Sequence, residues 1–166
     1  MARSLVVVGA IVAVIVVLNY RAPEDPVREI APAPLAAGVS ALAPFPVYLP
    51  TDDGWRPTAA RWEPTEESAP EAVWFVGGVY SEQGPFASLN QSTATSAEYL
   101  AELVGEGPAT GNSTVGDVQW QRYETSDQRS LVQLLPDSSI VVVGDGTWDD
   151  LERFAGSLEP AQDLVG

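Results

Sequence analysis

The sequence predicts an α+β fold: an N-terminal transmembrane helix, then one domain in which helices cover an antiparallel sheet of hairpins and meanders. Short apolar runs occur in pairs separated by turn sequences, which is typical of β-hairpins. Two other segments carry apolar residues at helical spacing behind a capping residue. Because the connections are short and groups of strands alternate with single helices, an antiparallel sheet is favoured over a parallel one.

The first element is an apolar segment at residues 4–20, which follows a short tail at residues 1–3. As a helix it would be roughly 26 Å long, slightly less than the hydrocarbon layer of a membrane. Arg3, Tyr20 and Arg21 flank this segment and can reach the membrane interface. The residues after it do not suit signal-peptidase cleavage, so we expect a retained single-pass anchor.

The orientation of this anchor depends on the positive charges on its two sides. Arg3 and the amino terminus oppose Arg21 and Arg28 almost equally under the positive-inside rule. A long domain behind a short N-terminal apolar segment is usually exported. We therefore expect a cell-membrane protein with its domain on the outer face, and a cytoplasmic domain is the alternative.

A proline- and alanine-rich linker is predicted at residues 21–34, because its prolines favour an extended chain. The folded extracytoplasmic domain is expected at residues 35–160, with a C-terminal tail at residues 161–166. One or two helical turns are predicted at Leu35–Leu42, with Pro34 at the first helical position.

The first half of the domain is predicted to contain four strands and one helix. The strands are expected at Val47–Leu49, Arg56–Trp62, Ala72–Tyr80 and Phe86–Gln91, the last two forming a hairpin. Thr95, with Glu98 three residues later, is a capping-box signature for the helix that follows. Gly105 is expected to end this helix.

The second half is predicted to be a loop, a meander and a helix. Residues 105–112 are rich in Gly, Pro, Asn and Ser, which predicts the loop. The meander is expected at Val118–Glu124, Arg129–Leu135 and Ile140–Val143. The last of these strands is apolar throughout, which places it at the centre of the sheet. Thr147 and Asp150 predict the capped start of the final helix. Its buried stripe is expected at Trp148, Leu151, Phe154, Ala155 and Leu158.

The composition excludes several classes of active site. The chain contains no Cys, no His and no Lys. A Ser-His-Asp triad, a cysteine nucleophile, a Schiff-base lysine and metal sites made of Cys or His are therefore impossible within it. We expect no enzyme activity and no cofactor. A hydrolase that uses carboxylates alone is the least favoured alternative, since two acids suffice for that chemistry.

The acidic residues are concentrated behind the predicted anchor. All 23 of them, but only six of the eight arginines, follow Arg21, so residues 22–166 carry a net charge of −17. Such a surface repels nucleic acid, and no nucleic-acid partner is expected. The densest group is Asp145, Asp149 and Asp150 near Glu152, which lacks the spacing of a calcium loop. We interpret it as capping of a helix N-terminus.

Four residues near the linker side of the domain are the candidate contacts to a ligand or partner: Trp55, Trp62, Arg56 and Arg61. Exposed tryptophans stack on sugars or fill a partner's pocket, and arginines bind carboxylates and phosphates. Trp74, Trp120 and Trp148 instead fall on the predicted core faces.

Five segments together resemble a known family. They are "APFPVYLP" from Ala43, "GWRPT" from Gly54, "ASLNQS" from Ala87, "YLAELVG" from Tyr99 and "VQWQRYE" from Val118. With the apolar anchor, this layout is similar to the actinobacterial family of unknown function DUF4245, from the anchor to about Leu158. The resemblance implies a single-pass membrane protein with an outward domain. It implies no activity and no catalytic residues.

The function predicted from the sequence is a non-enzymatic interaction or accessory module of the cell envelope, whose partner is an unknown envelope protein. An anchor, a spacer and a small domain poor in catalytic side chains suit this class. The alternative is a domain that binds an envelope glycan or lipid, which the tryptophans favour.

Overall fold

A computed structural model describes residues 28–66, 71–82 and 84–164 of the chain. The predicted anchor at residues 4–20 and its flanks Arg3, Tyr20 and Arg21 lie outside the described residues. Within the ranges described, no helix is long and apolar enough to cross a membrane.

The order of the elements confirms the α+β class with an antiparallel sheet. In chain order they are α1 (Ala33–Ser40), β1 (Tyr48–Pro50), β2 (Arg56–Glu63), β3 (Val73–Val79), β4 (Phe86–Ser92), α2 (Ala97–Val104), β5 (Gly111–Val115), β6 (Val118–Glu124), β7 (Arg129–Leu134), β8 (Ser139–Gly144), α3 (Trp148–Gly156) and β9 (Leu158–Pro160). A short 3-10 helix at Ala161–Leu164 follows β9.

Seven of the strands form one antiparallel sheet in the order β2-β3-β4-β8-β7-β6-β5, and β1 pairs separately with β9. β8 lies between β4 and β7, which confirms its predicted central position. Ile140 and Val142 are buried on one face of the sheet and Val141 on the other. The sequence of a strand that is covered on both faces is apolar at successive positions, as it is in β8.

The two faces of the sheet are covered unequally. On the first, here called the core face, α1, α3 and the β1–β9 pair contribute to the main hydrophobic cluster together with β3, β4, β7 and β8. On the opposite face, here called the α2 face, Leu100 and Val104 pack against Val132 and Val141. The cover on the α2 face therefore centres on β7 and β8.

Two side chains from the sheet fix β1 in place. The Gln91 amide accepts a hydrogen bond from the Tyr48 N–H (2.8 Å) and donates one to the Pro46 carbonyl (2.9 Å). The Trp74 indole donates to the Tyr48 carbonyl (3.0 Å). A buried backbone group without a partner costs about 1–3 kcal/mol, so these bonds hold β1 against the core face.

Two helix starts differ from the prediction. α1 begins at Ala33 rather than Leu35. The first helical turn tolerates Pro34, because an N–H at that position would have no acceptor within the helix. α2 is capped by Ser96 rather than Thr95: the Ser96 hydroxyl accepts a hydrogen bond from the Tyr99 N–H (3.2 Å). Glu98 therefore does not complete the capping box that the sequence predicted.

Two strands were missing from the prediction. β5 includes the last two residues of the predicted loop at 105–112, and Ser113 is its only buried residue, so it lacks apolar alternation. β9 contains Leu158, which was predicted to belong to the stripe of the last helix. The 3-10 helix that follows lies in the segment predicted as a tail, where Ala161 is buried and donates a hydrogen bond to the Val47 carbonyl (2.8 Å).

The start of α3 is confirmed. Thr147 and Asp150 form a complete capping box, and Leu151, Phe154 and Ala155 are buried against the core face. Trp148, at the first position of the helix, is half-buried.

Candidate functional site

β6 and β7 are paired at one end only. Their register runs from Glu124 opposite Arg129 to Gln121 opposite Val132 and stops there. β6 nevertheless continues its pairing with β5 as far as Val118, and β7 continues with β8 as far as Leu134. The seven-stranded sheet is therefore open between β6 and β7 at this end.

The opening leaves backbone groups of both strands without a ladder partner. Val118 closes the hairpin with β5, so the alternation of an antiparallel ladder directs the N–H and C=O of Gln119 away from β5. On β7, the Leu135 N–H bonds to the Ser138 carbonyl, and the same alternation directs the backbone of Leu134 away from β8. Gln119 and Leu134 thus face the opening from opposite sides.

The opening, here called the β6–β7 cleft, has a volume of about 460 Å³. Among the described residues that line the cleft, Asp117 alone has a charged side chain. The lining residues are Asn112, Asp117, Val118, Gln119, Trp120, Gln121, Val132, Gln133 and Leu134. The cleft is therefore a neutral, partly apolar surface with one carboxylate near its hairpin end.

A second cavity, here called the apolar pocket, adjoins the cleft on the core face and has a volume of about 180 Å³. The two cavities share Val118, Trp120 and Gln133. The pocket is lined by Tyr48, Val118, Trp120, Gln133, Leu135, Ile140, Ala155 and Leu158. These described residues include no carboxylate and no arginine, so the pocket suits an uncharged apolar group.

The hairpin of β5 and β6 is linked to α3 at the end where β6 is paired with β7. The Arg122 guanidinium donates hydrogen bonds to the Ser113 hydroxyl and to the Glu152 carboxylate. The Ser113 hydroxyl also donates to Glu152 (2.8 Å). The Arg122 guanidinium carbon lies 4.5 Å from the centre of the Trp148 ring. β6 is therefore linked to α3 by Arg122, and β5 by Ser113.

The charge cluster at the base of the hairpin is stabilised as an ion pair. Hydrogen bonds from Ser113 and then from Arg122 lower the pKa of Glu152, and they outweigh the effect of its burial. Both side chains of the pair are about one-third exposed, with 31 % of Arg122 and 30 % of Glu152 accessible. At neutral pH the pair is therefore ionised and links β6 to α3.

A second cluster ties α3 to the turn before β2. Asp52 accepts hydrogen bonds from the Tyr80 hydroxyl (3.1 Å) and the Arg153 guanidinium (3.0 Å). Burial raises the pKa of Asp52, but hydrogen bonds from Gly54, Tyr80 and Arg153 outweigh it and lower that pKa overall. Burial, followed by the charge of Asp52, raises the pKa of Tyr80 to about 12. This cluster lies away from the cleft and supports the fold.

Trp55 and Trp62, both predicted as candidate contacts, differ in exposure. Trp55 is 6 % exposed, donates a hydrogen bond from its indole to the Ala87 carbonyl (3.2 Å) and packs edge-on against Phe154. Trp62 is half-buried and lies edge-on to Phe45 at 6.3 Å between ring centres. Trp55 therefore has a packing role in the core, and Trp62 keeps an accessible part.

The two arginines of the predicted set lie on β2. Arg61 is exposed, lies 4.7 Å above the Phe75 ring and approaches Glu63 at 3.8 Å. Arg56 is half-buried at the start of the strand. Since adjacent strand residues point to opposite faces, Arg61 and Trp62 diverge, and the structure does not bring the four candidates together. Their contact with a ligand or partner stays a prediction.

The acidic residues near α3 have structural roles. Asp150 caps the helix, which agrees with the interpretation of this group as capping, and Asp145 accepts a hydrogen bond from the Phe86 N–H (2.6 Å). In the described part of the chain, no group of three or more His, Cys, Asp or Glu side chains could hold a metal ion. Trp74 and Trp120 are buried, as predicted.

The β6–β7 cleft was not anticipated from the sequence. One signal could have pointed to its hairpin: Gly116 and Asp117 form a two-residue connection between short segments with β-branched residues. Gly116 adopts a positive φ of 58°, as such a turn requires. No such local signal in the sequence marks the point at which the pairing of β6 with β7 stops.

Comparison with known proteins identifies a family and shows distant likeness to solved structures. A family described as "Protein of unknown function (DUF4245)" matches residues 1–158. No curated protein matches the sequence. Among solved structures, the chain is similar to the crystal structure of MucB in complex with MucA(peri), with 14 % identity and a TM-score of 0.40. The match covers 68 % of this chain and 36 % of that one, so the chain spans little more than a third of its length.

Proposed function

Because the chain belongs to DUF4245, a family of proteins of unknown function, we propose its function from its own geometry. The proposal is a non-enzymatic protein-interaction module of the cell envelope, held by a single-pass anchor at residues 4–20, with its domain on the outer face. Its binding site is the β6–β7 cleft, and its partner is an envelope protein.

The observation that carries the proposal is the open ladder at Gln119 and Leu134. Unpaired strand edges bind other polypeptide segments through backbone hydrogen bonds. Each bond that closed the ladder would contribute about 0.5–1.5 kcal/mol to the stability of the fold. A fold that leaves this ladder open keeps the groups available to a partner.

The lining of the cleft supports binding rather than catalysis. Hydrolysis by acids alone needs two carboxylates roughly 5–10 Å apart, and within the part of the chain that the structure describes, Asp117 is the only carboxylate in the wall of the cleft. The chain also contains no Cys, His or Lys to serve as a nucleophile or base. An interaction module needs none of these groups.

Site-specific photocrosslinking in intact membranes tests this proposal. A photoreactive residue is placed at Leu134, which is 47 % exposed at the cleft, or at Leu42, which is 73 % exposed after α1 and serves as the control. We expect one envelope protein to be crosslinked from position 134 and not from position 42. The same yield from both positions, or none from position 134, would contradict a binding site in the cleft.

The outward orientation has a separate test. Protease added to intact spheroplasts should digest the domain and leave cytoplasmic markers untouched. A domain that resists until the membrane is opened would be cytoplasmic, and the partner would then have to be a cytoplasmic protein.

A second candidate function is binding of an envelope lipid or glycan, and the apolar pocket favours its lipid form. A cavity of about 150 Å³ holds a benzene molecule, so the 180 Å³ of this pocket accommodates one ring or a short length of alkyl chain. Native mass spectrometry of the full chain in its own lipids should reveal such a ligand as an added mass. That mass should disappear on Ala155→Phe, which fills the pocket.

A further inference from the structure

We infer that the occupant of the β6–β7 cleft is an extended peptide segment that inserts as a strand between Gln119 and Leu134. One large apolar side chain of this segment fills the apolar pocket. The inference rests on the proposed function and specifies the chemistry of the partner.

The backbone of the cleft suits an inserted strand. Gln119 offers an N–H and a C=O from one side, and Leu134 offers both groups from the other. Because β6 and β7 are antiparallel, the inserted strand is antiparallel to one of them and parallel to the other, and both kinds of pairing occur in sheets. A short segment can therefore bond to both edges at once.

The side chains of the cleft determine where the segment's own side chain points. If the ladder were extended in register, Trp120 would lie opposite Gln133, and both residues line the pocket on the core face. Residues at the same level of neighbouring strands point to the same face of a sheet. A partner residue inserted at this level therefore points into the apolar pocket.

The volume of the pocket limits that side chain. A cavity of about 150 Å³ holds a benzene molecule. The 180 Å³ pocket thus accepts one side chain of the size of Leu, Met or Phe, bounded by Ile140, Ala155 and Leu158. Burial of this apolar side chain makes it the anchor of the segment.

Charge complementarity restricts the flanking residues. Of the residues that the structure describes, Asp117 is the only one with a charged side chain in the wall of the cleft, and residues 22–166 carry a net charge of −17. An acidic segment would be repelled by this domain. The segment is therefore neutral or basic on either side of its apolar residue.

A matched pair of proline variants isolates the backbone contribution. Gln119→Pro removes the N–H that faces the cleft. Thr114→Pro removes the N–H of the directly opposite residue on β5, which the same alternation points outward from the sheet edge. Both variants lose the hydrogen bond of 2.7 Å between the Gln119 amide and the Thr114 hydroxyl. They therefore differ in whether the removed N–H faces the cleft or the outer edge of the sheet.

The probe is a randomised heptapeptide library, selected against the full chain in lipid nanodiscs. We expect the enriched peptides to share one large apolar residue with neutral or basic neighbours. Losing one backbone hydrogen bond weakens binding roughly tenfold. The best peptide should therefore bind Gln119→Pro about tenfold more weakly than the parent and Thr114→Pro as tightly as the parent. Ala155→Phe should also abolish binding, and circular dichroism should show each variant folded.

Three results would overturn the inference: no enrichment, enrichment of peptides without an apolar residue, or equal binding to the two proline variants. If any one of these results is obtained while crosslinking from Leu134 still captures a protein, the proposed function stands and the partner uses another binding mode. If neither peptide binding nor crosslinking from Leu134 is observed, the cleft is not a binding site.

Discussion

The two ends of the β6–β7 strand pair differ in how they are covered, although they belong to the same strands. At the closed end, Tyr123 and Val132 pack beneath α2, and Arg129 pairs with Glu124 at 2.8 Å. At the open end, Val118 is 36 % exposed and Leu134 is 47 % exposed. The ladder is therefore complete where a helix covers the α2 face and opens where that cover ends.

Two arginines at the closed end link both strands to Trp148 at the start of α3. The guanidinium carbons of Arg122 and Arg129 lie 4.5 Å and 5.9 Å from the centre of the Trp148 ring. Arg122 links β6 to α3 through Glu152, and Arg129 donates a hydrogen bond from β7 to the Gly146 carbonyl (2.8 Å). Both strands are therefore linked to the start of α3 at the closed end.

The largest expected effect comes from two leucines three residues apart on β7. Leu131 is fully buried at the closed end, and Leu134 is exposed at the open end. Leu131→Ala should lower the free energy of unfolding by about 2–5 kcal/mol, because it leaves a cavity. Leu134→Ala should change it by about 0.5 kcal/mol or less. Urea denaturation of both variants measures the difference, and similar losses would show that the open end is packed like the closed one.

The next effect concerns the link between the hairpin and α3. Arg122→Ala removes hydrogen bonds to Ser113 and Glu152 and the contact with Trp148, so it should cost about 1–3 kcal/mol. Arg61→Ala is the control, since Arg61 also stacks on an aromatic ring but its side chain is 65 % exposed. That control should cost about 0.5 kcal/mol or less. Equal costs in urea denaturation would mean that the Arg122 cluster does not hold the hairpin.

These comparisons rest on a fold that the sequence predicts in large part. Thr147 and Asp150 identify the start of α3, and the continuous apolar run at Ile140–Val143 identifies the central strand, because both signals are local. β5 was missed because it buries only Ser113, so its pairing with β6 leaves no apolar pattern in the sequence.

The cleft could not be predicted for a different physical reason. The alternation of side chains in Val118–Trp120 is the same whether β7 is paired with it or not. The hairpin that borders the cleft is linked to α3 through Glu152, a residue 30 positions away from Arg122 in the sequence. Such a distant pairing is determined by tertiary structure and not by local propensity.

A smaller effect is expected in acid. The pKa of Glu152 is lowered in the folded protein from its ordinary value of 4.5, so its contribution to stability is complete above that value and is lost as the pH falls through the folded pKa. Glu152→Gln should therefore flatten the decline of stability below about pH 4.5. Asp52 and Asp150, whose pKa values are also lowered, should maintain the rest of the decline. An unchanged acid profile would show that Glu152 is not paired.

Amide hydrogen exchange of the full chain tests most directly whether the sheet is open between β6 and β7. Gln121 and Val132 are the last paired residues, and Gln119 and Leu134 lie two positions beyond them on the same strands. We expect the amides of Gln121 and Val132 to exchange at least about a hundredfold more slowly than those of Gln119 and Leu134. Equal protection of all four amides would show that the ladder is closed and would contradict the account of the cleft.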